Sequence, residues 1–169
     1  AVTVTNANEA PLITSDGGGV AAAVSAAENQ IVVTTVTSTD VDGGAAVYSI
    51  ADGADAALFT INASTGALTF LTAPDFEAPA DAGADNVYDV TVQVADGNGG
   101  TDTQAIAVTV TNVNEAPVIT SAAAVNAAEN QTAVTTVTSS DVDGGAPAYT
   151  IVGGADAALF TIDAASGVL

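Results

Sequence analysis

The segment AAAVSAAENQIVVTTVTSTDVDGGAAVYSIADGADAALFTINASTGAL, residues 21–68, returns as AAAVNAAENQTAVTTVTSSDVDGGAPAYTIVGGADAALFTIDAASGVL, residues 122–169. About 35 of the 48 paired positions are identical, at a shift of 101 residues. VTNANEAPLITS at residues 4–15 likewise recurs as VTNVNEAPVITS at residues 110–121. The extra residues of the first copy are the insertion Asp16-Gly17-Gly18-Gly19-Val20. A period of about 100 residues is the size of one domain. The expected organisation is the terminal strand of one repeat over residues 1–9, a complete repeat over 10–112, and the first part of another over 113–169.

Within the complete repeat the hydrophobic pattern is that of strands. Tyr88, Val90, Val92 and Val94 alternate with Asp89, Thr91 and Gln93, and Ile106, Val108 and Val110 alternate with Ala107 and Thr109. This period of two marks half-buried strands. Shorter β-rich runs at residues 12–15, 32–38, 47–50, 59–61 and 67–71 are separated by Asp-Gly, Gly-Gly and Thr-Gly turns. About seven strands per repeat with frequent turns predict an all-β Greek-key sandwich. Ala21–Ala27, built from the best helix former, is the one stretch where helix competes with this reading. The apolar content is Ala and Val with only four Phe and three Tyr, which suggests thin, closely packed β layers.

The chain has twenty Asp and Glu and no Lys, Arg or His, a formal charge of −20. No acidic side chain can therefore be neutralised by a basic one from the same chain. Two carboxylates about 4 Å apart repel by roughly 4 kcal/mol at a partly shielded surface. Nucleic acid is excluded as a direct partner, since phosphate binding needs Lys or Arg, and an anionic membrane surface is disfavoured for the same reason. No apolar run approaches a membrane-spanning helix, and any secretion signal is expected outside this stretch. Cysteine is absent, which removes disulfides, thiolate nucleophiles and Zn–Cys sites. The missing His removes the commonest general base and transition-metal ligand.

The acids gather at strand ends and turns. Glu28 follows a short apolar run, and Asp40 and Asp42 form Asp-Val-Asp-Gly-Gly. Asp75 and Glu77 form Asp-Phe-Glu, Asp96 sits in Ala-Asp-Gly-Asn-Gly-Gly, and Glu115 lies in Asn-Val-Asn-Glu-Ala-Pro. Each alone is ordinary turn chemistry. Together in one repeat, with several returning in the next, they suit a hard cation. Ca²⁺ takes 6–8 oxygen ligands from carboxylates, Asn side chains and backbone carbonyls, whereas Mg²⁺ wants tighter octahedral geometry. The EF-hand pattern does not fit, because Asp40-Val41-Asp42-Gly43 stops short of its later ligands. Asp81, Asp85 and Asp102 read as solubilising surface.

The chain resembles tandem cadherin repeats of large bacterial surface proteins along essentially its whole length. The markers are Ala-Glu-Asn at residues 27–29 and 128–130, Asp-Val-Asp at 40–42 and 141–143, and Leu-Phe-Thr-Ile before a Gly turn at 58–66 and 159–167. Asp75-Phe76-Glu77, Val94-Ala95-Asp96-Gly97 and Asn112-Val113-Asn114-Glu115-Ala116-Pro117 complete the set in order. The resemblance implies Ca²⁺ at the junctions between repeats. At one junction the ligands would be Glu28, Asp75 and Glu77, the linker residues Asn112, Asn114 and Glu115, and Asp141 and Asp143. The preceding junction would use Asn6, Asn8, Glu9, Asp40, Asp42 and Asp96. Where the family linker has Asp-x-Asn-Asp, Asn112 replaces an acid and Glu115 is one methylene longer, so two or three ions per junction are expected. The Trp of animal cadherin strand exchange is missing.

These features imply a calcium-dependent structural or adhesive module, extracellular or at the cell surface, in a stalk, adhesin or filament. Its partners would be neighbouring repeats, with homotypic lateral or end-to-end assembly open. A carbohydrate- or surface-binding module is the alternative, given Thr-rich runs such as Thr34-Thr35-Val36-Thr37. An enzyme is not expected. Carboxylate pairs can hydrolyse glycosides, but no Trp, His or Arg is available to hold a sugar.

Overall fold

The computed structural model of the protein describes residues 1–169, which form two compact units, Ala1–Val113 and Asn114–Leu169. The first unit carries the strands β1 (Leu12–Ile13), β2 (Ala21–Ala27), β3 (Val32–Thr35), β4 (Ser38–Thr39) and β5 (Val47–Asp52). They are followed by β6 (Phe59–Ile61), β7 (Ala67–Phe70), β8 (Val87–Ala95) and β9 (Thr101–Thr111). One sheet has the order β2-β9-β8-β5 and another β3-β7-β6, while β1 and β4 form a separate pair. All neighbours are antiparallel except β2 and β9, which run parallel. The unit is an all-β sandwich, as the alternation in the sequence predicts.

The long hairpin β8–β9 is its backbone. Tyr88, Val90, Val92 and Val94 on β8 and Ile106, Val108 and Val110 on β9 point inward and are buried. They meet Ile13, Val36, Tyr48, Phe59, Leu68 and Phe70 in one core. Each such side chain stabilises the fold by about 1.5–3 kcal/mol relative to exposure. The few aromatic residues are concentrated rather than scattered. Phe59 stacks on Phe70 at 4.6 Å, and Tyr88 meets Phe70 edge-on at 5.2 Å. The core is therefore not made only of thin Ala and Val layers. Gln104 occupies an inward position on β9 and is fully buried, its amide Nε2 donating to the carbonyls of Ser15 and Gly19 at 3.4 and 3.2 Å.

One contested stretch is decided and one expectation changes. Ala21–Ala27 is a strand, in unbroken parallel register with β9 from Ala21↔Ala105 to Ala27↔Thr111. Pairing with β9 outweighs the helix preference of alanine. The run at residues 32–38 is not one strand but β3 and β4, in different sheets. It breaks at Val36, whose N–H donates to the Gly66 carbonyl at 2.9 Å. Gly66 has φ of +71°, and an added Cβ would collide with the Val36 carbonyl, so the approach requires glycine.

The second unit pairs β10 (Val118–Ile119) with β11 (Ser139–Ser140) antiparallel, and Thr136 bridges Val168. Gly167 is its one buried residue.

Candidate metal centre

One acidic cluster of the first unit lies where β8 ends and β9 begins. Asp96 directly follows β8, and the turn after it folds back so that Asp96 Oδ1 accepts the N–H groups of Asn98 and Gly100 at 2.7 and 3.0 Å. Its Oδ2 accepts the Asn8 side-chain amide at 2.7 Å. A Cβ at Gly100 would strike this carboxylate and the Ala10 backbone, which explains the glycine. The Asp-Val-Asp turn holds the next acids, with Asp42 N–H donating to Asp40 Oδ1 at 2.8 Å. Asp42 in turn accepts the Glu9 N–H at 2.6 Å and the Asn6 side-chain amide. Asp40 and Asp96 both line a cavity of about 110 Å³ with Pro11, Ser38, Gly43, Gly44 and Ala46. Asn6, Asn8, Glu9, Asp40, Asp42 and Asp96 thus come together.

The electrostatics of this cluster are uneven. A hydrogen bond shared with the Asp42 carboxylate, and then its charge, hold Glu9 above the usual glutamate value. The Glu9 N–H, followed by the Asn6 amide, holds Asp42 below the usual aspartate value. The Asn8 amide, followed by the Asn98 N–H, outweighs burial and holds Asp96 low as well. Glu9 therefore gives up its proton less readily than an ordinary glutamate.

A second cluster lies at the other end of the hairpin, where β2 and β9 end together. At about 3.4 Å per residue, the nine residues of β8 separate the two clusters by roughly 30 Å. Glu28, Asp75 and Glu77 each offer a carboxylate oxygen, and these atoms all lie within 4.8 Å of one another. Glu28 is only 3% exposed, which matters because a buried carboxylate needs partners. Its oxygens accept the N–H groups of Phe76 and Val113 at 2.8 and 2.7 Å. Asn29 follows with φ of +62°, a left-handed turn that Asn tolerates, and its N–H donates to the Pro74 carbonyl at 3.0 Å. The Glu-Asn marker thus combines a buried carboxylate with the left-handed turn that follows it. Asp75 Oδ1 accepts the N–H groups of Glu77 and Ala78 at 3.0 and 3.1 Å, and Glu77 accepts the Asn112 amide at 2.6 Å.

In the second unit the linker and Asp-Val-Asp turn repeat the first arrangement. Glu115 N–H donates to Asp143 Oδ2 at 2.5 Å, and Asp143 N–H to Asp141 Oδ1 at 3.2 Å. Asn114 donates to the Glu115 carbonyl at 2.8 Å, as Asn8 does to that of Glu9 at 3.1 Å. Glu129, the repeat of Glu28, is exposed and belongs to no such group.

The clusters offer carboxylate and amide oxygens only, a donor set that fits a hard divalent cation rather than a transition metal. Asn6, Asn8 and Asn112 turn their NH₂ groups to carboxylates, and a half turn of each amide would present Oδ1 instead. The N–H groups of Phe76, Val113, Asn98 and Gly100 brace these carboxylates, and residue types alone do not announce them. Only the Gly-rich turn after Asp96 hints at them.

The remaining acids are not all surface. Asp81 is buried and accepts the N–H groups of Asp85 and Asn86, both at 3.1 Å. Burial pushes its carboxyl up, but those bonds outweigh it and the net shift is downward. Asp55, also buried, caps Ala82 and Asp89 N–H groups at 2.7 and 2.8 Å. Asp102 accepts the Ile13 N–H at 2.8 Å and ties β1 to β9. Asp85 is exposed, in keeping with a solubilising role.

A β-sandwich with acids collected at the ends of its strands defines a class of repeat module. Residues 8–109 match the family described as Bacterial Ig domain, and the chain belongs to that family. Comparison with curated proteins finds no match. Among solved structures, human protocadherin-24 EC1-2 is similar with a TM-score of 0.55 and 20% identity, covering 95% of this chain and 78% of that one. The protocadherin gamma B2 extracellular cadherin domains 3-6 give 0.53 and 22% identity, covering 95% of this chain. The chain spans 42% of the length of that protocadherin fragment. The fold is that of cadherin repeats.

Proposed function

We propose that this chain is a calcium-dependent structural or adhesive module of an extracellular array, its repeats running over residues 10–112 and from 113 onward. The observation that carries the reading is the Glu28, Asp75 and Glu77 group, three carboxylates with oxygens within 4.8 Å in a chain without one basic side chain. Such a group is repulsive until a cation enters it. Covalent geometry supports a shared role for the linker. Asn112 bonds Glu77 of one acidic group, and Asn114 follows two residues later beside Glu115, which bonds Asp143 of another. Calcium held by both sets would stiffen the linker, and two or three ions per junction fit the donors. Without calcium, repulsion would leave the linker free to swing.

A stiffened array suits a surface stalk, an adhesin or an extracellular filament. No helix is long and apolar enough to cross a membrane. Extracellular calcium modules bind with Kd of about 10⁻⁴–10⁻³ M. Ion at a hundredfold above Kd would stabilise the fold by about 2.7 kcal/mol. Thermal melting in millimolar calcium and in EDTA tests this. A higher transition in calcium is expected, and superimposable melts would refute the calcium requirement.

A further inference from the structure

The two larger sheets of the first unit have four edges, and three of them are blunted. β5 carries a register shift between Ile50 and Asp52 and ends on a carboxylate, β3 shifts between Val32 and Thr34, and β6 is three residues long. Bulges, charges and short strands are the usual protection of an edge. β2 has none of these. It runs for seven residues, AAAVSAA, in regular register, with no charge and no proline.

The ladder tells which of its backbone groups are spoken for. Ala105 N–H donates to the Val20 carbonyl at 2.9 Å, and Glu28 N–H donates to the Thr111 carbonyl at 3.1 Å. In a parallel pair this places the even-numbered residues of β2 against β9. The N–H and C=O groups of Ala21, Ala23, Ser25 and Ala27 therefore point outward along the edge. Ala21, Ala23 and Ser25 are exposed, and Val20 just before them is 84% exposed. The nearest carboxylate along the strand, Glu28, is turned inward to Phe76 and Val113.

We propose that β2 is a pairing edge for a second copy of this chain, two β2 strands joining antiparallel about a twofold axis into a continuous eight-stranded sheet. Antiparallel pairing satisfies the outward groups of both strands reciprocally. Small neutral side chains bring no like charges face to face, which a chain of charge −20 demands of any self-contact. The pairing is independent of the calcium reading, because no ligand of either cluster takes part in it.

The test is sedimentation of the whole chain across a concentration series in about 1 M salt, where the screening length is about 3 Å. Amide hydrogen exchange is measured in parallel. Reversible dimerisation is expected, with the amides of Ala21, Ala23, Ser25 and Ala27 slowing by an order of magnitude as dimer forms. Ala23→Pro removes one outward donor without touching the β2–β9 ladder and is expected to give monomer with an unchanged melting transition. A chain that stays monomeric at every concentration overturns the proposal. So does a dimer whose β2 amides still exchange freely, an outcome that can be read on the wild-type chain even if the variant misfolds.

Discussion

Ala26 is buried and Ala127, its counterpart one repeat later, is exposed; Phe59 is 4% exposed and Phe160 43%. Two nearly identical stretches thus differ in almost everything that depends on distant partners. What they share is local. Gly66 and Gly167 both have φ of +71° and take Val36 and Val137 N–H groups on their carbonyls at 2.9 and 2.8 Å. Ser38 meets the Tyr48 hydroxyl, and Ser139 that of Tyr149, at 3.0 Å in each case. Asn62 and Asp163 cap the same turn through backbone N–H groups two and three residues on. Turns belong to the sequence in hand, whereas strands need something to pair with. In the first unit that template is the β8–β9 hairpin.

The comparison is most easily broken at the aromatic pair. Phe59→Ala should cost about 3–5 kcal/mol through loss of core packing, while Phe160→Ala should change stability by less than about 0.5 kcal/mol. Urea denaturation of the two variants measures both, and equal effects would contradict the templating argument.

Glu28→Gln comes next. It replaces one of the two carboxylate oxygens that accept the Phe76 and Val113 N–H groups by an NH₂ donor, at about 1–3 kcal/mol, and removes a carboxylate from the proposed calcium site. Its calcium-induced stabilisation should shrink, whereas Glu129→Gln should behave as wild type; melts in calcium and in EDTA separate these effects. Asn29→Ala forces alanine into a left-handed conformation at a cost of about 1–2 kcal/mol, and Asn29→Gly should recover most of it.

The smallest effect is in pH. Asp81, Asp96 and Asp42 are held below the ordinary aspartate value in the folded chain. The stability they contribute is fully present above the unfolded value of about 3.9 and is lost as pH falls through their depressed values. Glu9, held above its ordinary value, acts in the opposite sense. Acid titration of stability in EDTA should therefore show loss below about pH 4, and Asp81→Asn should flatten it.

Much of this was legible from residue order alone. The alternation on β8 and β9 gives both strands and the inward face, and the repeat register gathers the acids of all three clusters. Other parts depend on contacts far apart in sequence. Ala21–Ala27 carries a helical composition and becomes a strand only because β9 lies beside it. The break at Val36 is set by the Gly66 carbonyl, thirty residues away. Asp81 and Asp102 look like any surface aspartate until the N–H groups of Asn86 and Ile13 are found to point at them. The resemblance implies Glu28 as a ligand, yet its burial, and the Phe76 and Val113 donors that make burial tolerable, have no sequence signature.

The central claim is that calcium enters the acid clusters, and an NMR titration of the chain with calcium tests it residue by residue. Saturable shifts are expected for the amides of Phe76, Glu77 and Val113 at one cluster and of Asn98 and Gly100 at the other. The Asp85 and Asn86 amides, bonded to Asp81, should stay still. Shifts that never saturate, or that spread evenly over every exposed acid, would contradict it.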